Sequence, residues 1–194
     1  MAFFFTIQLK NDIIFYMKKE CKLQPGDMEI ALSLKGNLGE CAEFILEDVH
    51  TGRPLSDVKI KLIYYASFYE LYFKYRLTTI HPSLIWKDPT KYKHEKHVRA
   101  EFTSIDATTV LAYALNFKWI SDADADLIKE TNGLRNKVIH FGLNEQDSEE
   151  YIRLERIESD FFDKNKELVI RLLRPIISDL KESFYLKKYI PELK

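Results

Sequence analysis

The chain has 194 residues, of which 46% are hydrophobic and 30% are charged, and this length favours one domain with a single core. Its 29 basic and 30 acidic residues leave a formal net charge of -1, so a role with nucleic acid would need a local basic patch. Two cysteines are too few for a disulfide framework, and no signal peptide or membrane-length apolar run is evident, so we expect a cytoplasmic protein without membrane contact.

Helical spacing of apolar residues begins near residue 25, whereas residues 1–25 carry no clear signal. Pro25-Gly26-Asp27 can start a first helix, which is predicted to end at residues 50–54. Ser56-Asp57 can start a second helix that ends before Pro82. The predicted inward stripe of this second helix is Ile63, Ala66, Glu70, Phe73, Leu77 and Ile80. One member of an otherwise apolar face is therefore a glutamate.

A polar stretch from Lys87 to Arg99 interrupts the helical pattern and predicts a surface loop. Lysines surround Tyr92 in this loop and are candidates for contacts with an RNA backbone, namely Lys91, Lys93 and Lys96. Simple solvation of a basic loop is the alternative interpretation. His94 and His97 stand in a lysine-rich loop with no nearby cysteine and few carboxylates, which is a poor set of metal ligands, so we expect neither a metal nor a cofactor.

Four further helices are predicted after this loop. Thr103-Ser104 is expected to cap the first of them, and Ser121-Asp122 the second, which runs to a stop signal at Gly142. Ser148 starts the third, and Pro175 separates it from a last helix that ends near residue 188. The prediction is an all-α helical bundle that forms one domain over residues 1–194.

The helix predicted to begin at Ser121-Asp122 carries the candidate catalytic residues. At about 100° per residue, its apolar stripe comprises Leu127, Thr131, Leu134, Val138 and Phe141, which we expect to face the core. The outward face then combines Asn136 and His140 with Lys129, Asn132 and Gly133. Arg135 lies at the boundary between the two faces.

These residue types suit the cleavage of RNA without a metal. A neutral His140 can remove the proton of a ribose 2'-hydroxyl, and the two-pronged guanidinium of Arg135 can stabilise the charge that develops on the phosphate. The product would be a 2',3'-cyclic phosphate. One helix supplies only half of the usual catalytic groups, so a second copy related by two-fold symmetry is expected to supply the others.

The segment Arg135-Asn136-Lys137-Val138-Ile139-His140 resembles the RxxxxH motif of HEPN domains. The upstream segment 69–77, with Glu70-Leu71, Lys74 and Leu77, resembles the Glu-Leu-x-x-Lys-x-x-Leu helix that precedes this motif in many members. The spacing between the two segments is similar as well. The resemblance covers about residues 57–142, and helices over 148–188 would come after it.

The resemblance implies a homodimer in which two RxxxxH motifs face each other across a composite cleft. It implies metal-independent endoribonuclease activity in a toxin-antitoxin or phage-defence setting, with an antitoxin or other regulatory partner. Carried over to this chain, Arg135 and His140 would be catalytic and Asn136 would hold their geometry. HEPN toxins paired with nucleotidyltransferase antitoxins carry a tyrosine two residues after the histidine. Gly142 stands there in this chain, which argues against that particular partner.

Alternatives accompany each of these interpretations. Glu70 can orient Arg135, or it can form a structural ion pair with Lys74 or with an arginine from the motif helix. Arg135 and His140 can be surface residues, with the histidine favoured by the helix dipole. For the whole protein, the alternatives are a catalytically silent HEPN-like dimer that binds RNA or protein, and a purely structural helical dimer.

Overall fold

The computed structural model describes residues 25–51, 58–92, 103–141 and 159–176 of the chain. They form five α-helices: α1 (Pro25–Thr51), α2 (Val58–Ile80), α3 (Ala107–Asn116), α4 (Asp122–Phe141) and α5 (Ser159–Leu173). Short 3-10 helices lie at Pro82–Ile85, Pro89–Lys91 and Arg174–Ile176. Within these ranges the extended pairing is a single antiparallel bridge between Trp86 and Ser104. The all-α prediction is confirmed for the described part of the chain.

Helix α2 is the central element of the bundle, and α1, α3, α4 and α5 all contact it. Of its 23 residues, 12 are buried, and they are distributed around most of the helix circumference. A single inward stripe is therefore too narrow a prediction for this helix. Ala66, Phe73 and Leu77 are buried as expected, but Ile63 is 37% exposed. A helix that is apolar on nearly all sides is typical of the middle of a bundle.

The centre of the core is aromatic. Phe68, Tyr69, Tyr72 and Phe73 are fully buried on α2, and their neighbouring rings meet at centroid distances of 5.1 to 5.9 Å. Edge-on and offset contacts of this kind contribute roughly 0.5–1.5 kcal/mol each beyond the burial of area. These side chains make α2 a rigid surface against which the other helices pack.

Helix α1 packs antiparallel to α2. The ring of Phe44, near the end of α1, stacks on that of Tyr64, near the start of α2, with centroids 3.8 Å apart. At the other end of the pair, the Tyr92 hydroxyl donates to Asp27 Oδ2 at 2.9 Å and ties the segment after α2 to the start of α1. The predicted start of α1 at Pro25 is confirmed, and Leu38, which continues the helical spacing of Ile30 and Leu34, is buried.

The start of α3 corrects one prediction. The side chain of Asp106 caps this helix by accepting a hydrogen bond from the Thr109 amide at 2.8 Å, and this bond lowers the pKa of the Asp106 carboxyl. Thr103-Ser104 was the wrong choice of cap. Ser104 instead forms the bridge with Trp86, and its hydroxyl accepts a hydrogen bond from Lys74 Nζ at 2.9 Å.

The start of α4 agrees with the sequence. Ser121 Oγ accepts a hydrogen bond from the Asp124 amide at 3.2 Å, and Asp124 Oδ2 accepts one from the Ser121 amide at 3.0 Å. This reciprocal pair satisfies two backbone donors that the first turn of a helix leaves open. A well-defined start therefore sets the register of the helix that carries the motif.

The two C-terminal predictions are only partly inside the described ranges. Helix α5 occupies Ser159–Leu173, and Pro175 lies in the 3-10 helix directly after it, as its position as a helix breaker predicts. The start at Ser148 and the last helix to residue 188 lie outside the described residues. Among the described helices, none combines the length and the apolar composition needed to cross a bilayer.

Candidate active site

The motif lies on one continuous helix. Helix α4 extends from Asp122 to Phe141 and contains Arg135, Asn136 and His140 in its last two turns. Its end immediately before Gly142 agrees with the predicted stop signal. Because Asn136 and His140 are four residues apart, their backbone positions lie on the same side of the helix. The side chain of His140 lies outside the described part of the chain.

The buried face of α4 is rotated relative to the predicted stripe. Ala125, Ile128, Thr131 and Val138 are buried, whereas Leu127 and Leu134 are only half-buried. The buried face differs from the predicted stripe because α4 contacts both α2 and α5. The surface that it buries is therefore wider than one stripe of large apolar residues. Arg135 is half-buried at the edge of this surface, which agrees with its predicted position at the boundary.

Two polar atoms on this helix are enclosed without a partner. Nε of Arg135 and Oδ1 of Asn132 are both shielded from solvent, and neither has a hydrogen-bond partner among the described residues. The two residues are three positions apart, so they neighbour each other on the helix surface. Asn132 therefore differs from its predicted outward position. Buried donors and acceptors are nearly always satisfied in folded proteins, so two adjacent exceptions call for a functional explanation.

The other predicted outward residues are exposed. Gly133 and Asn136 are open to solvent, and Lys129 forms an ion pair of 2.9 Å with Asp126 in which both side chains are mostly exposed. A pair of this kind contributes little to stability, so Lys129 can exchange its partner for a phosphate at low cost. The outward face of α4 is thus polar and accessible along the last two turns before His140.

The position of the motif in the bundle is set by two contacts. Val138 belongs to an apolar cluster with Val58 and Leu62 at the start of α2. One turn before Arg135, Thr131 Oγ1 donates to Asn165 Oδ1 at 2.9 Å, and the hydroxyl of Tyr69 donates to the same oxygen at 2.8 Å. Helices α2 and α4 are therefore antiparallel, and Arg135 lies at the level of α2 between Leu62 and Tyr69.

Glu70 and Lys74 are joined to each other. Lys74 Nζ donates to Glu70 Oε1 at 2.5 Å and also to Ser104 Oγ, while the Lys74 side chain is only 7% exposed. Of the two roles considered for Glu70, the structural ion pair is the one observed. The pair compensates a charge inside the bundle and attaches the segment before α3 to α2. It stabilises the helix on which α4 packs and does not contact the motif through a described hydrogen bond.

The basic loop contributes no described side chain to the site. Lys93 and Lys96 lie outside the described residues, and so does the side chain of Lys91. Their contact with RNA stays a prediction.

Three exposed isoleucines lie at the end of the bundle that carries the motif, and their sequence pattern did not single them out. Ile139 on α4 is 50% exposed, and Ile60 and Ile63 on α2 are 44% and 37% exposed. The cluster that joins Val138 to Val58 and Leu62 brings these three side chains to the same end of the bundle. A periodicity argument assigns Ile63 to the core and cannot identify these exposed side chains.

Comparisons of the chain with known protein families, with curated proteins and with solved structures find no match.

Proposed function

We propose that the protein is a homodimeric, metal-independent endoribonuclease of the HEPN type that acts as a toxin or phage-defence effector. The observation that carries this proposal is the enclosed Nε of Arg135, which has no hydrogen-bond partner among the described residues and lies one residue before exposed Asn136 and five before His140. A phosphate oxygen is an acceptor that this nitrogen lacks, and charge-assisted bonds from guanidinium to phosphate are among the stronger ones. Partial burial strengthens that interaction because the surroundings screen charge less than water does.

The proposed reaction uses the 2'-hydroxyl of the RNA as nucleophile. A neutral His140 takes the 2'-hydroxyl proton, the 2'-oxygen bonds to phosphorus, and the bond from phosphorus to the 5'-oxygen breaks. Arg135 stabilises the negative charge on the phosphorane, and Asn136 holds the phosphate or the imidazole in position. A protonated His140 of the partner subunit gives its proton to the leaving 5'-oxygen. The products are a 2',3'-cyclic phosphate and a 5'-hydroxyl end.

The exposed isoleucines support the dimer. Ile60, Ile63 and Ile139 are large apolar side chains exposed at the end of the bundle that carries the polar motif, and exposed apolar side chains of this kind suit a protein interface with an apolar centre. Pairing this end of the bundle with a second copy would bring two Arg135 and two His140 side chains to one cleft. Single-stranded or looped RNA is the expected substrate, because a 2'-hydroxyl can align with its own phosphate only where the backbone is free to bend.

Incubation of the purified protein with a labelled, unstructured RNA in EDTA tests the activity. The wild-type protein is expected to cut the RNA and to leave 2',3'-cyclic phosphate ends, and His140→Ala is expected to lose at least a hundredfold in rate. Lys87→Ala is the matched control, because Lys87 is an exposed cation in the segment after α2, whereas the motif end of α4 packs against the start of α2. Equal cleavage by wild type and His140→Ala, or cleavage by neither, would refute the proposal. RNA binding without scission would instead indicate the silent HEPN-like module.

A further inference from the structure

A cavity lies near the opposite end of α4 from the motif. It has a volume of about 180 Å³. Its lining includes Tyr72 and Arg76 from α2, Trp119 from the turn before α4, Asp124 from the first turn of α4, and Leu168 and Arg171 from α5. Asp124 precedes His140 by 16 residues, which is about 24 Å along the helix at about 1.5 Å per residue. The cavity is therefore separate from the motif, and binding of a ligand in it does not depend on the proposed nuclease activity.

Arg76 is held in this cavity by neutral groups. Its Nη1 donates to the Tyr72 hydroxyl at 3.3 Å, and its Cζ lies 4.9 Å from the centroid of the Trp119 ring. In the described part of the chain no carboxylate forms an ion pair with it. A guanidinium fixed by a cation–π contact and a phenol keeps most of its N–H donors and its whole charge available for an anion.

The opposite wall contributes a second guanidinium. Arg171 Nη2 pairs with Asp124 Oδ1 at 2.5 Å, and the Arg171 side chain is 58% exposed, so part of its fork is open to the cavity. Burial acts to raise the pKa of Asp124, but hydrogen bonds from Ser121 and Arg171 outweigh it and lower that pKa. The Asp124 carboxylate is thus ionised and engaged. Two cations and one anion in the lining leave one positive charge in excess.

The turn before α4 holds Trp119 in place. The Trp119 amide donates to the Ala114 carbonyl at 3.0 Å, and the Lys118 amide donates to the Leu115 carbonyl at 2.9 Å. This pair of bonds is a Schellman motif, and Lys118 adopts the left-handed conformation it requires, with φ of 55°. The Trp119 ring stacks on Phe117 with centroids 5.1 Å apart. The surface on which Arg76 rests is therefore fixed before any ligand arrives.

We infer that this cavity binds a phosphate group, either as inorganic phosphate or as the end of a small phosphomonoester. Phosphate oxygens match the two guanidinium edges, and the Tyr72 hydroxyl, which accepts from Arg76, has its own proton to donate. Burial is the main reason that the pKa of Tyr72 is raised, so the phenol keeps this proton at neutral pH. The volume is below the roughly 300–1,000 Å³ of pockets for drug-sized ligands, which argues against a whole nucleotide.

Titration calorimetry of the full chain with sodium phosphate at constant ionic strength tests this inference. Saturable binding is expected in the wild type, with an affinity at least tenfold lower in Arg76→Met, which preserves the apolar stem on Trp119. Lys164→Gln is the matched control, because it removes one exposed cation from α5 at a position paired with Asp160. Its affinity should equal that of the wild type. In NMR spectra, the indole resonance of Trp119 should shift with phosphate and that of Trp86 should not.

Titration with ribose 5-phosphate distinguishes a phosphomonoester from inorganic phosphate as the ligand of the cavity. Binding tenfold tighter than that of inorganic phosphate would identify a phosphomonoester as the ligand, and equal binding would identify free phosphate. If Arg76→Met does not fold, Arg76→Lys keeps the charge but not the fork, and it should also weaken binding. Absence of saturable binding to the wild type, or an equal loss in Lys164→Gln and Arg76→Met, would overturn the inference.

Discussion

Thr131 on the motif helix and Asn165 on α5 are joined by a buried hydrogen bond of 2.9 Å between Oγ1 and Oδ1. Both residues are fully shielded from solvent, and Asn165 also accepts from the Tyr69 hydroxyl and donates to the Phe161 carbonyl. One asparagine thus connects three helices at a point one turn before Arg135. This connection joins α4 to α2 and α5 next to the candidate site.

Asn165→Ala is expected to destabilise the fold by about 1–2 kcal/mol, because it removes the amide oxygen that accepts from Tyr69 and Thr131 and leaves their hydroxyls only the backbone carbonyls of residue 165 and Leu127. Urea denaturation followed by circular dichroism measures the change. The exposed Asn116→Ala, at the end of α3, is the matched control and should change stability by less than about 0.5 kcal/mol. A loss of similar size in both variants would contradict the importance of the Asn165 connection.

Glu70→Gln is expected to cost about 2 kcal/mol, because the almost buried ammonium of Lys74 loses its counter-charge and keeps only neutral acceptors, the amide oxygen at position 70 and the Ser104 hydroxyl. Lys74→Met should cost less, since the Glu70 side chain is 30% exposed and can be hydrated on its own. Denaturation of the two single variants and the double variant gives the coupling energy of the pair. Additive effects would show that the ion pair does not contribute as described.

Lys118→Gly is expected to raise the free energy of unfolding by about 1 kcal/mol, because glycine adopts the positive φ of this turn without steric cost. Thermal and urea denaturation both report the change. Ala112→Gly, at an exposed position in the interior of α3, should instead destabilise by about 1 kcal/mol. Stabilisation by both variants, or by neither, would be inconsistent with the Schellman geometry.

Stability should fall in alkaline solution because of Cys41. Burial, with a smaller effect of Glu40, raises the pKa of this thiol from 9.0 to about 11 in the folded chain. Between these values the unfolded chain releases the proton and the folded chain retains it, so unfolding is favoured as pH rises. The loss is at most about 1.4 kcal/mol per pH unit.

The Cys41 effect is isolated by comparing wild type with Cys41→Ala from pH 8 to pH 10. Deletion of the sulfur should lower the free energy of unfolding by a similar amount at each pH below 9. Above pH 9 it should make the decrease of that free energy with pH less steep. Tyr69 and Tyr72, whose pKa values are raised chiefly by burial, add to the loss only at higher pH. Parallel pH curves for the two proteins would contradict a raised thiol pKa.

Sequence reasoning predicted those features that depend on neighbouring residues. The start at Pro25, the cap at Ser121 and the end of α4 before Gly142 each depend on a few adjacent positions, and all three agree with the structure. The cap of α3 failed because Thr103, Ser104 and Asp106 are all suitable residues. A distant contact, the bond from Lys74 to Ser104, decides among them.

Features that depend on three-dimensional packing were not predictable. Tyr69 and Asn165 are 96 positions apart, and nothing local to either residue identifies the other as its partner. The exposure of Ile63 and the enclosure of Asn132 likewise depend on where α4 and α2 meet, because helical periodicity gives a face but not the width of the contact. The position of Arg135 at a boundary was predictable, whereas the enclosure of its Nε without a partner among the described residues was not.

The most direct test of a composite ribonuclease site uses a heterodimer. Arg135→Ala and His140→Ala chains with different tags are co-expressed, the mixed dimer is isolated through both tags, and RNA cleavage is measured in EDTA beside each variant homodimer. If two motifs form one cleft, the mixed dimer still contains one Arg135 and one His140 base, and water replaces the second His140 as the acid. It should therefore cut RNA more slowly than the wild type but measurably faster than either homodimer. A mixed dimer as inactive as the homodimers, while wild type cuts RNA, would contradict the shared cleft.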